Sequence, residues 1–171
     1  MEKNVKKMCA KRVALVAHDN MKSDLAEWVD WNTAVLSTHK LVCTGTTGKM
    51  VEKTIVNNQI EKKHREGEPS KMLAPLDITL LKSGPLGGDQ QLGSMIADGE
   101  ISALIFFWDP MSAQPHDVDV KALLRLATLY NVPTAINRST ADYMISSPLF
   151  STDDYEPVVK DYKSYIERML K

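Results

Sequence analysis

The chain has 171 residues, of which 43% are hydrophobic and 25% are charged. This length suits one ordinary domain with a single sizeable core, and the composition excludes a disordered or fibrous protein. The 21 basic and 22 acidic residues nearly cancel, which leaves a net charge of −1. Such a balance argues against a general nucleic-acid-binding or membrane-surface protein, although it still allows a local basic pocket for a small anion.

Targeting and cysteine signals are weak. The longest apolar run, residues 103–108, is far too short to cross a bilayer, and the N-terminal residues lack the apolar core of a signal peptide. The two cysteines, Cys9 and Cys43, are too few for a disulfide framework, and they lack the CxxC spacing of a metal site. We therefore expect a soluble cytoplasmic protein with reduced thiols.

Five short apolar runs follow a polar lead-in, residues 1–11, and each predicts a strand that is buried on both faces. The runs are Arg12–Ala17, 41–44, Ile78–Leu81, 103–108 and 132–136. Between most of them, and at the C-terminus, apolar residues recur at helical spacing. These stripes are Leu25/Trp28/Val29/Val35/Leu36, Met50/Val51/Ile55/Val56, Leu92/Met95/Ile96, Val120/Leu123/Leu124/Ala127/Tyr130 and Tyr162/Tyr165/Ile166/Met169/Leu170. The alternation predicts a doubly wound α/β fold with a parallel sheet and right-handed crossovers.

One stretch interrupts this alternation. Residues 57–75 are long for a connection between a helix and a strand, and residues 61–68 within it are nearly all charged. Such density of charge predicts a solvated excursion, with room for an extra helical turn or two, rather than a binding surface.

Polar and ionisable residues follow each predicted strand, and the carboxyl ends of parallel strands are where ligands bind in open α/β sheets. The loop TGTTG, which starts at Thr44, opens a helix and offers free N–H groups to an anion, with Lys22 as a cationic partner. No Walker A or GxGxxG sequence is present, so a small phosphate ester fits better than a nucleotide. A capped turn without a ligand is the alternative.

Each ionisable residue at this edge also has a purely structural interpretation. Asp89 could cap the helix that starts at Gln90, and Asp117 or Asp119 could cap the helix that starts at Val120. Asp109 could be a turn residue. Their convergence at one edge with two histidines instead favours proton abstraction next to the carbonyl of a sugar-phosphate-like substrate. A metal site is the lower-ranked alternative, since no His-x₃-His pair is present.

Six segments then resemble the methylglyoxal synthases, in the same order along the chain: ALVAHDNMK, TGTTG, SGPLGGDQQ, LIFFWDP, PHDVDVKALLRLA and NRSTADY. The resemblance covers nearly the whole chain from about residue 12. It implies one domain over residues 1–171, a three-layer α/β/α sandwich on a five-stranded parallel sheet, and a homohexamer. It also implies conversion of dihydroxyacetone phosphate to methylglyoxal and inorganic phosphate, with no metal or organic cofactor. Inorganic phosphate is then expected to act as an inhibitor as well as a product.

The resemblance also assigns roles to individual residues. Asp89 matches the catalytic base, His116 matches the electrophile that hydrogen-bonds the substrate oxygens, and Asp119 matches a second catalytic carboxylate. Asp19 and Asp109 match supporting acidic residues of the family. The residues that match its phosphate-binding positions are Lys22, Thr44, Gly45, Thr46 and Thr47. His18, Ser83 and Gly84 match further substrate contacts, and Arg168 matches a basic residue that reaches the site of a neighbouring subunit. Because Asp89 falls at a predicted helix N-terminus, we expect it to stay ionised and to be a weak base.

The sequence departs from the family at one place. Residues 57–75 lengthen the segment between TGTTG and SGP by about twenty residues relative to the family, well beyond ordinary connection lengths. Because this stretch lies on the helix-to-strand side of the sheet, the departure puts subunit packing or regulation in question more than the chemistry. Two other functions stay open at this point. One is a non-catalytic anion sensor of the same fold, and the other is a triose-phosphate isomerase-like enzyme.

Overall fold

The computed structural model describes residues 10–68, 72–113, 115–152 and 155–168. Five strands form one parallel sheet in the order β3-β2-β1-β4-β5. Their bounds are β1 Arg12–Ala17, β2 Lys40–Thr44, β3 Ile78–Leu81, β4 Ala103–Phe107 and β5 Thr134–Ala135. Each predicted run therefore forms a strand. The last strand covers only part of its run, and Pro133 directly before it has no N–H to give to the ladder.

The helices are α1 Lys22–Trp31, α2 Thr33–Leu36, α3 Gly45–Arg65, α4 Gly88–Ala97, α5 Asp117–Leu129, α6 Arg138–Ser146, α7 Pro148–Ser151 and α8 Lys163–Arg168. The first predicted stripe is divided at Asn32, which separates α1 from α2. The C-terminal stripe is helical from Lys163 to Arg168, so its first residue, Tyr162, precedes the helix. Its last residues, Met169 and Leu170, lie outside the described residues. Neither α6 nor α7 was predicted.

Helices cover both faces of the sheet, because alternate strand residues point to opposite sides. Val13 and Leu15 of β1 join one apolar core with α1, α2, α3, α6 and α7, whereas Ala14 and Val16 join another with α4 and α5. Trp28 of α1 and Leu92 of α4 are among the fully buried side chains of these cores. The fold is thus the expected three-layer α/β/α sandwich.

The charged stretch begins as a continuation of α3. Residues 57–65 are helical, and Gly67, with φ of +73°, follows the end of this helix. Asn58 ties the extension to α1 by donating its amide to Asp30 Oδ1 at 2.8 Å. Most side chains beyond that point are exposed. In the described part of the chain, no helix is both long enough and apolar enough to span a membrane.

The strand order creates a crevice at one position. The chain runs outward from β1 through β2 to β3 and then returns to place β4 on the other side of β1. Helices leave β1 and β4 toward opposite faces, so the carboxyl ends of these two strands form the topological switch point at which ligands bind in such sheets. His18 directly follows β1, and Asp109 lies two residues beyond β4.

Candidate active site

A cavity of about 90 Å³ opens at the carboxyl ends of the strands. It is much smaller than the pockets that hold drug-sized ligands, so its size suits a small metabolite. The predicted site residues that line it are His18, Asp19, Lys22, Thr44, Thr46, Thr47, Ser83, Gly84, Asp89 and His116. The structure thus gathers most of the predicted residues around one space. Its remaining lining residues, which the sequence analysis did not single out, are Val16, Ala17, Pro85 and Phe106.

Asp89 and His116 face each other at the inner end of the cavity. Asp89 is only 4% exposed, and its Oδ2 lies 3.6 Å from His116 Nε2, beyond hydrogen-bond distance. Among the described residues, that oxygen has no hydrogen-bond partner. The N-cap of α4 is Gly87, with φ of +96°, and Asp89 is the second helical residue. The interpretation of Asp89 as a helix cap is therefore wrong.

Burial makes Asp89 a stronger base than an ordinary aspartate. Desolvation raises its pKa, and the nearby charge of Asp119 raises it further, whereas His116 opposes the shift. The helix N-terminus was expected to keep this carboxyl readily ionised. The expectation of a weak base is wrong in direction, because loss of water outweighs the opposing charges of His116 and His18.

Gly84 leaves room for these two side chains. A Cβ atom at this position would lie 2.8 Å from His116 Nε2 and 3.0 Å from Asp89 Oδ2. Both distances are shorter than an ordinary van der Waals contact. Glycine at position 84 therefore allows the backbone to pass directly beside the carboxylate and the imidazole.

His18 lines the cavity where the neighbouring strands β1 and β4 end. Its ring meets Phe106 edge to face, with centroids 5.0 Å apart, and lies 6.1 Å from the ring of His116. Its Nδ1 accepts a hydrogen bond of 3.1 Å from the backbone N–H of Asp109. Burial lowers the pKa of His18, which favours the neutral form of its ring.

The other end of the cavity is cationic and rich in donors. Lys22, on the first turn of α1 as predicted, donates from Nζ to Asp19 Oδ1 and to Thr46 Oγ1, each at 2.5 Å. The TGTTG loop opens α3, so the N–H groups of Thr46 and Thr47 lie in its first turn, where an α-helix supplies them no intrahelical acceptor. This combination of a lysine, hydroxyls and a helix N-terminus is suited to a phosphoryl group.

The two glycine-rich loops pack directly on each other. Gly45 has φ of +32°, and its N–H donates to Lys82 O at 3.1 Å, so this amide of the TGTTG loop is not free. A Cβ at Gly45 would lie 2.7 Å from the Cα of Ser83. Gly45 therefore shapes the site from behind rather than lining the cavity.

Three other predicted site residues also lie outside the cavity wall. Asp109 is buried behind His18, and its Oδ1 accepts from Met111 N–H in the manner of the alternative turn interpretation. Asp119 is in the first turn of α5, and its charge raises the pKa of Asp89. The N-cap of α5 is His116, so the interpretation of Asp117 or Asp119 as the cap is wrong. Arg168 is exposed on α8. Asn20, which the sequence analysis did not single out, donates from Nδ2 to Asp109 Oδ2 at 2.9 Å.

Neither a candidate metal-binding cluster nor a cysteine is found among the described residues that line the cavity. Within residues 10–68, 72–113, 115–152 and 155–168, no three His, Cys, Asp or Glu side chains are grouped so that they could hold a metal ion. Cys43 is a free thiol in β2, and burial raises its pKa to about 12. Cys9 lies outside the described residues.

A larger cavity of about 640 Å³ lies at the opposite, amino ends of the strands. Ala103, Pro133 and Phe150 are among its mostly apolar lining residues. It contains none of the residues around Asp89, so size alone does not mark the chemical site here. The smaller cavity holds the buried carboxylate, the imidazoles and the lysine together.

Comparison with known proteins places the chain in one family. A family model described as the MGS-like domain matches residues 24–136. Methylglyoxal synthase of Maridesulfovibrio salexigens is 56% identical over 160 residues, which cover 94% of this chain and 98% of that protein. Methylglyoxal synthase of Proteus mirabilis is 51% identical over 161 residues, which cover 94% and 93%. The crystal structure of methylglyoxal synthase from Elizabethkingia anophelis superposes with a TM-score of 0.74 at 45% identity and covers 93% of this chain and 91% of that one. The chain therefore belongs to the methylglyoxal synthase family.

Proposed function

We propose that this protein converts dihydroxyacetone phosphate to methylglyoxal and inorganic phosphate. The observation that carries the proposal concerns the two ends of one small cavity. At one end a buried carboxylate oxygen of Asp89 receives no hydrogen bond from the described residues, and at the other end Lys22 and Thr46 are suited to a phosphoryl group. A triose phosphate offers both groups that such a cavity would bind, a carbon acid next to a ketone and a phosphate ester. Family membership supports the same reaction.

Asp89 acts as the base in the first step. Its Oδ2 takes a proton from the hydroxymethyl carbon beside the ketone, and the electron pair of that C–H bond forms the enediolate. Two features of this carboxylate favour the transfer. The lone pairs of Oδ2 are not engaged by a hydrogen-bond donor among the described residues, and burial raises the pKa of the carboxyl group. Both raise its affinity for a proton, and Brønsted behaviour rewards a base whose pKa lies nearer the working pH.

His116 supplies the electrophile for the same step. Its Nε2 faces Asp89 at 3.6 Å, and its ring is 12% exposed, so a hydrogen bond from it to substrate is shielded from water. Negative charge grows on the carbonyl oxygen as the proton leaves, and a fixed donor stabilises that charge most at the transition state.

Phosphate leaves in the second step. The enediolate expels phosphate by breaking the C–O bond, and the enol that is released becomes the ketoaldehyde. The breaking bond must stand perpendicular to the enediolate plane to overlap its π electrons. Lys22 and the first turn of α3 hold the phosphoryl group and thereby choose this geometry. An isomerase would have to hold the same bond in the plane.

One assay tests the proposal against both alternatives. Purified protein is incubated with dihydroxyacetone phosphate, and the products are followed by NMR. The proposal expects methylglyoxal and inorganic phosphate in equal amounts. Formation of glyceraldehyde 3-phosphate would indicate an isomerase, and phosphate binding without turnover would indicate an anion sensor. A sensor has no use for a buried base beside an imidazole, which is why we favour the enzyme.

We further propose that inorganic phosphate inhibits the enzyme by occupying the Lys22 end of the cavity. A product that keeps the phosphoryl group of the substrate can compete for the same donors. Initial rates at several phosphate concentrations test this, and indifference to millimolar phosphate would contradict it.

We also propose a cytoplasmic homohexamer in which Arg168 reaches the active site of a neighbouring subunit. Large apolar side chains that are exposed in the single chain support self-association, for example Tyr143, Val158 and Tyr165. Light scattering after gel filtration should give six times the mass of one chain, and the mass of a monomer would contradict the assembly. Activity that fractionates with membranes would contradict the location.

A further inference from the structure

Two segments that follow neighbouring strands are fastened to each other at the switch point. Asn20, two residues after His18, donates from Nδ2 to Asp109 Oδ2 at 2.9 Å across 89 positions of sequence. Asp109, which lies beyond the end of β4, donates its backbone N–H to His18 Nδ1 at 3.1 Å. The backbone N–H of His18 in turn donates to Phe107 O at 3.2 Å. These three hydrogen bonds link Asn20, Asp109, His18 and Phe107 to one another. Of these four residues, only His18 lines the cavity.

The direction of the bond between Asp109 and His18 determines which ring nitrogen carries the proton. A backbone amide only donates, so Nδ1 accepts and is unprotonated. A neutral imidazole then carries its single proton on Nε2. That nitrogen is buried, and among the described residues it has no hydrogen-bond partner, while His18 lines the cavity. His18 therefore carries an N–H donor that no described residue uses, on a ring that lines the cavity.

Three donors hold the carboxylate of Asp109. Asn20 binds one oxygen, the N–H of Met111 binds the other at 2.9 Å, and the backbone N–H of Ser112 also donates to this carboxylate. All three hold the pKa of Asp109 below its ordinary value. Met111 and Ser112 belong to the turn that Asp109 itself begins, so Asn20 is the donor that ties this turn to the segment after β1. Without Asn20, we expect the turn to shift and the N–H of Asp109 to lose its aim at His18 Nδ1.

We propose that Asn20 is a positioning residue of the active site, whose amide holds Asp109 so that the backbone N–H of Asp109 keeps the proton of His18 on Nε2, facing the substrate oxygens. The purpose of this donor rests on the proposed function, whereas the tautomer itself does not. A donor that is oriented before substrate arrives stabilises the enediolate without reorganising during the reaction. Asn20 itself is exposed and does not line the cavity, so its effect passes through Asp109.

The first measurement reads the tautomer directly in the resting protein. Long-range ¹H–¹⁵N correlation spectra distinguish protonated from unprotonated ring nitrogens, and the His18 signals are assigned by their loss in His18→Gln. We expect Nδ1 unprotonated and Nε2 protonated in the wild type, and a mixture of tautomers in Asn20→Ala. A wild-type ring with its proton on Nδ1, or an unchanged ring in Asn20→Ala, would overturn the proposal. This result stands even if the protein turns over no dihydroxyacetone phosphate.

The second measurement links the tautomer to catalysis. Asn20→Ala should lower kcat by about tenfold to hundredfold, as expected for a misplaced catalytic contact, with little change in melting temperature because Asn20 is exposed. Asn20→Gln keeps an amide donor and should recover part of the loss, whereas Asn20→Asp should not, because it places a carboxylate against Asp109. Asn58→Ala is the matched control, since it removes an amide-to-carboxylate bond far from the cavity. Equal kcat values for Asn20→Ala and Asn58→Ala would refute the positioning role.

Discussion

Replacing Gly84 with alanine should slow the enzyme about 100-fold without unfolding it. The new Cβ would lie 2.8 Å from His116 Nε2 and 3.0 Å from Asp89 Oδ2, whereas favourable contacts with carbon begin near 3.5 Å. Each of the two atoms must therefore retreat by roughly half an ångström or more. A misplacement of about 1 Å in a catalytic group can cost about 100-fold in rate. We expect kcat to fall by about that factor.

The fold should tolerate this change for two reasons. The atoms in conflict are the tips of side chains that can rotate, and the φ angle of Gly84 lies outside the left-handed region that only glycine adopts readily. Gly93→Ala is the control, because it makes the same substitution inside α4, where the new Cβ would meet only Leu126 Cδ1 at 3.0 Å. Phosphate release and thermal melting are measured for both variants. Wild-type kcat in a folded Gly84→Ala enzyme would refute the placement of His116 and Asp89.

Three further predictions follow from the charges of the site. Lys22→Met should raise the KM and weaken inhibition by phosphate, each by about tenfold to hundredfold, because it removes one charge-assisted hydrogen bond to the phosphoryl group. Lys121→Met is the control, since Lys121 forms an exposed ion pair with Asp117, and it should change neither value in steady-state kinetics. Asp89→Asn should raise the melting temperature at neutral pH. The pKa of Asp89 in the folded protein lies above 3.8, so the contribution of Asp89 to folding stability is fully present below pH 3.8 and is lost as the pH rises through the folded pKa. A variant that melts at a lower temperature than the wild type would contradict this. The acid limb of kcat/KM should lie above 3.8, and a limb at or below that value would mean that the base is an unperturbed carboxyl.

The strands, and the edge of the sheet that carries the site, could be predicted because both depend on patterns among residues that are close in the sequence. Runs such as Arg12–Ala17 are apolar throughout, and the polar residues after them point to the carboxyl edge. The helix α6 was missed because it buries only Ala141 and Ile145, so its apolar stripe is too short to stand out. Its start was nevertheless encoded, since Asn137 caps it by accepting from the N–H of Thr140.

The details of the site depended on contacts that no local pattern contains. Asn20 and Asp109 meet only because β1 and β4 are neighbours, which the strand order decides. The basicity of Asp89 was misjudged for the same reason, because its pKa is raised. Its place near a helix N-terminus is visible in the sequence, but its burial against Gly84 and His116 is not.

The most direct test of the central claim follows the hydroxymethyl hydrogens of dihydroxyacetone phosphate in heavy water. Wild-type enzyme should remove them and produce methylglyoxal and phosphate, as read by ¹H and ³¹P NMR. Asp89→Asn keeps the shape of the side chain but loses the base, so it should still bind phosphate, and its turnover should fall by roughly 10²–10⁴-fold or more. It should also stop any exchange of these hydrogens with solvent. Removal of the hydrogens by Asp89→Asn at the wild-type rate would contradict the account and would shift the role of base to Asp119 or Asp109.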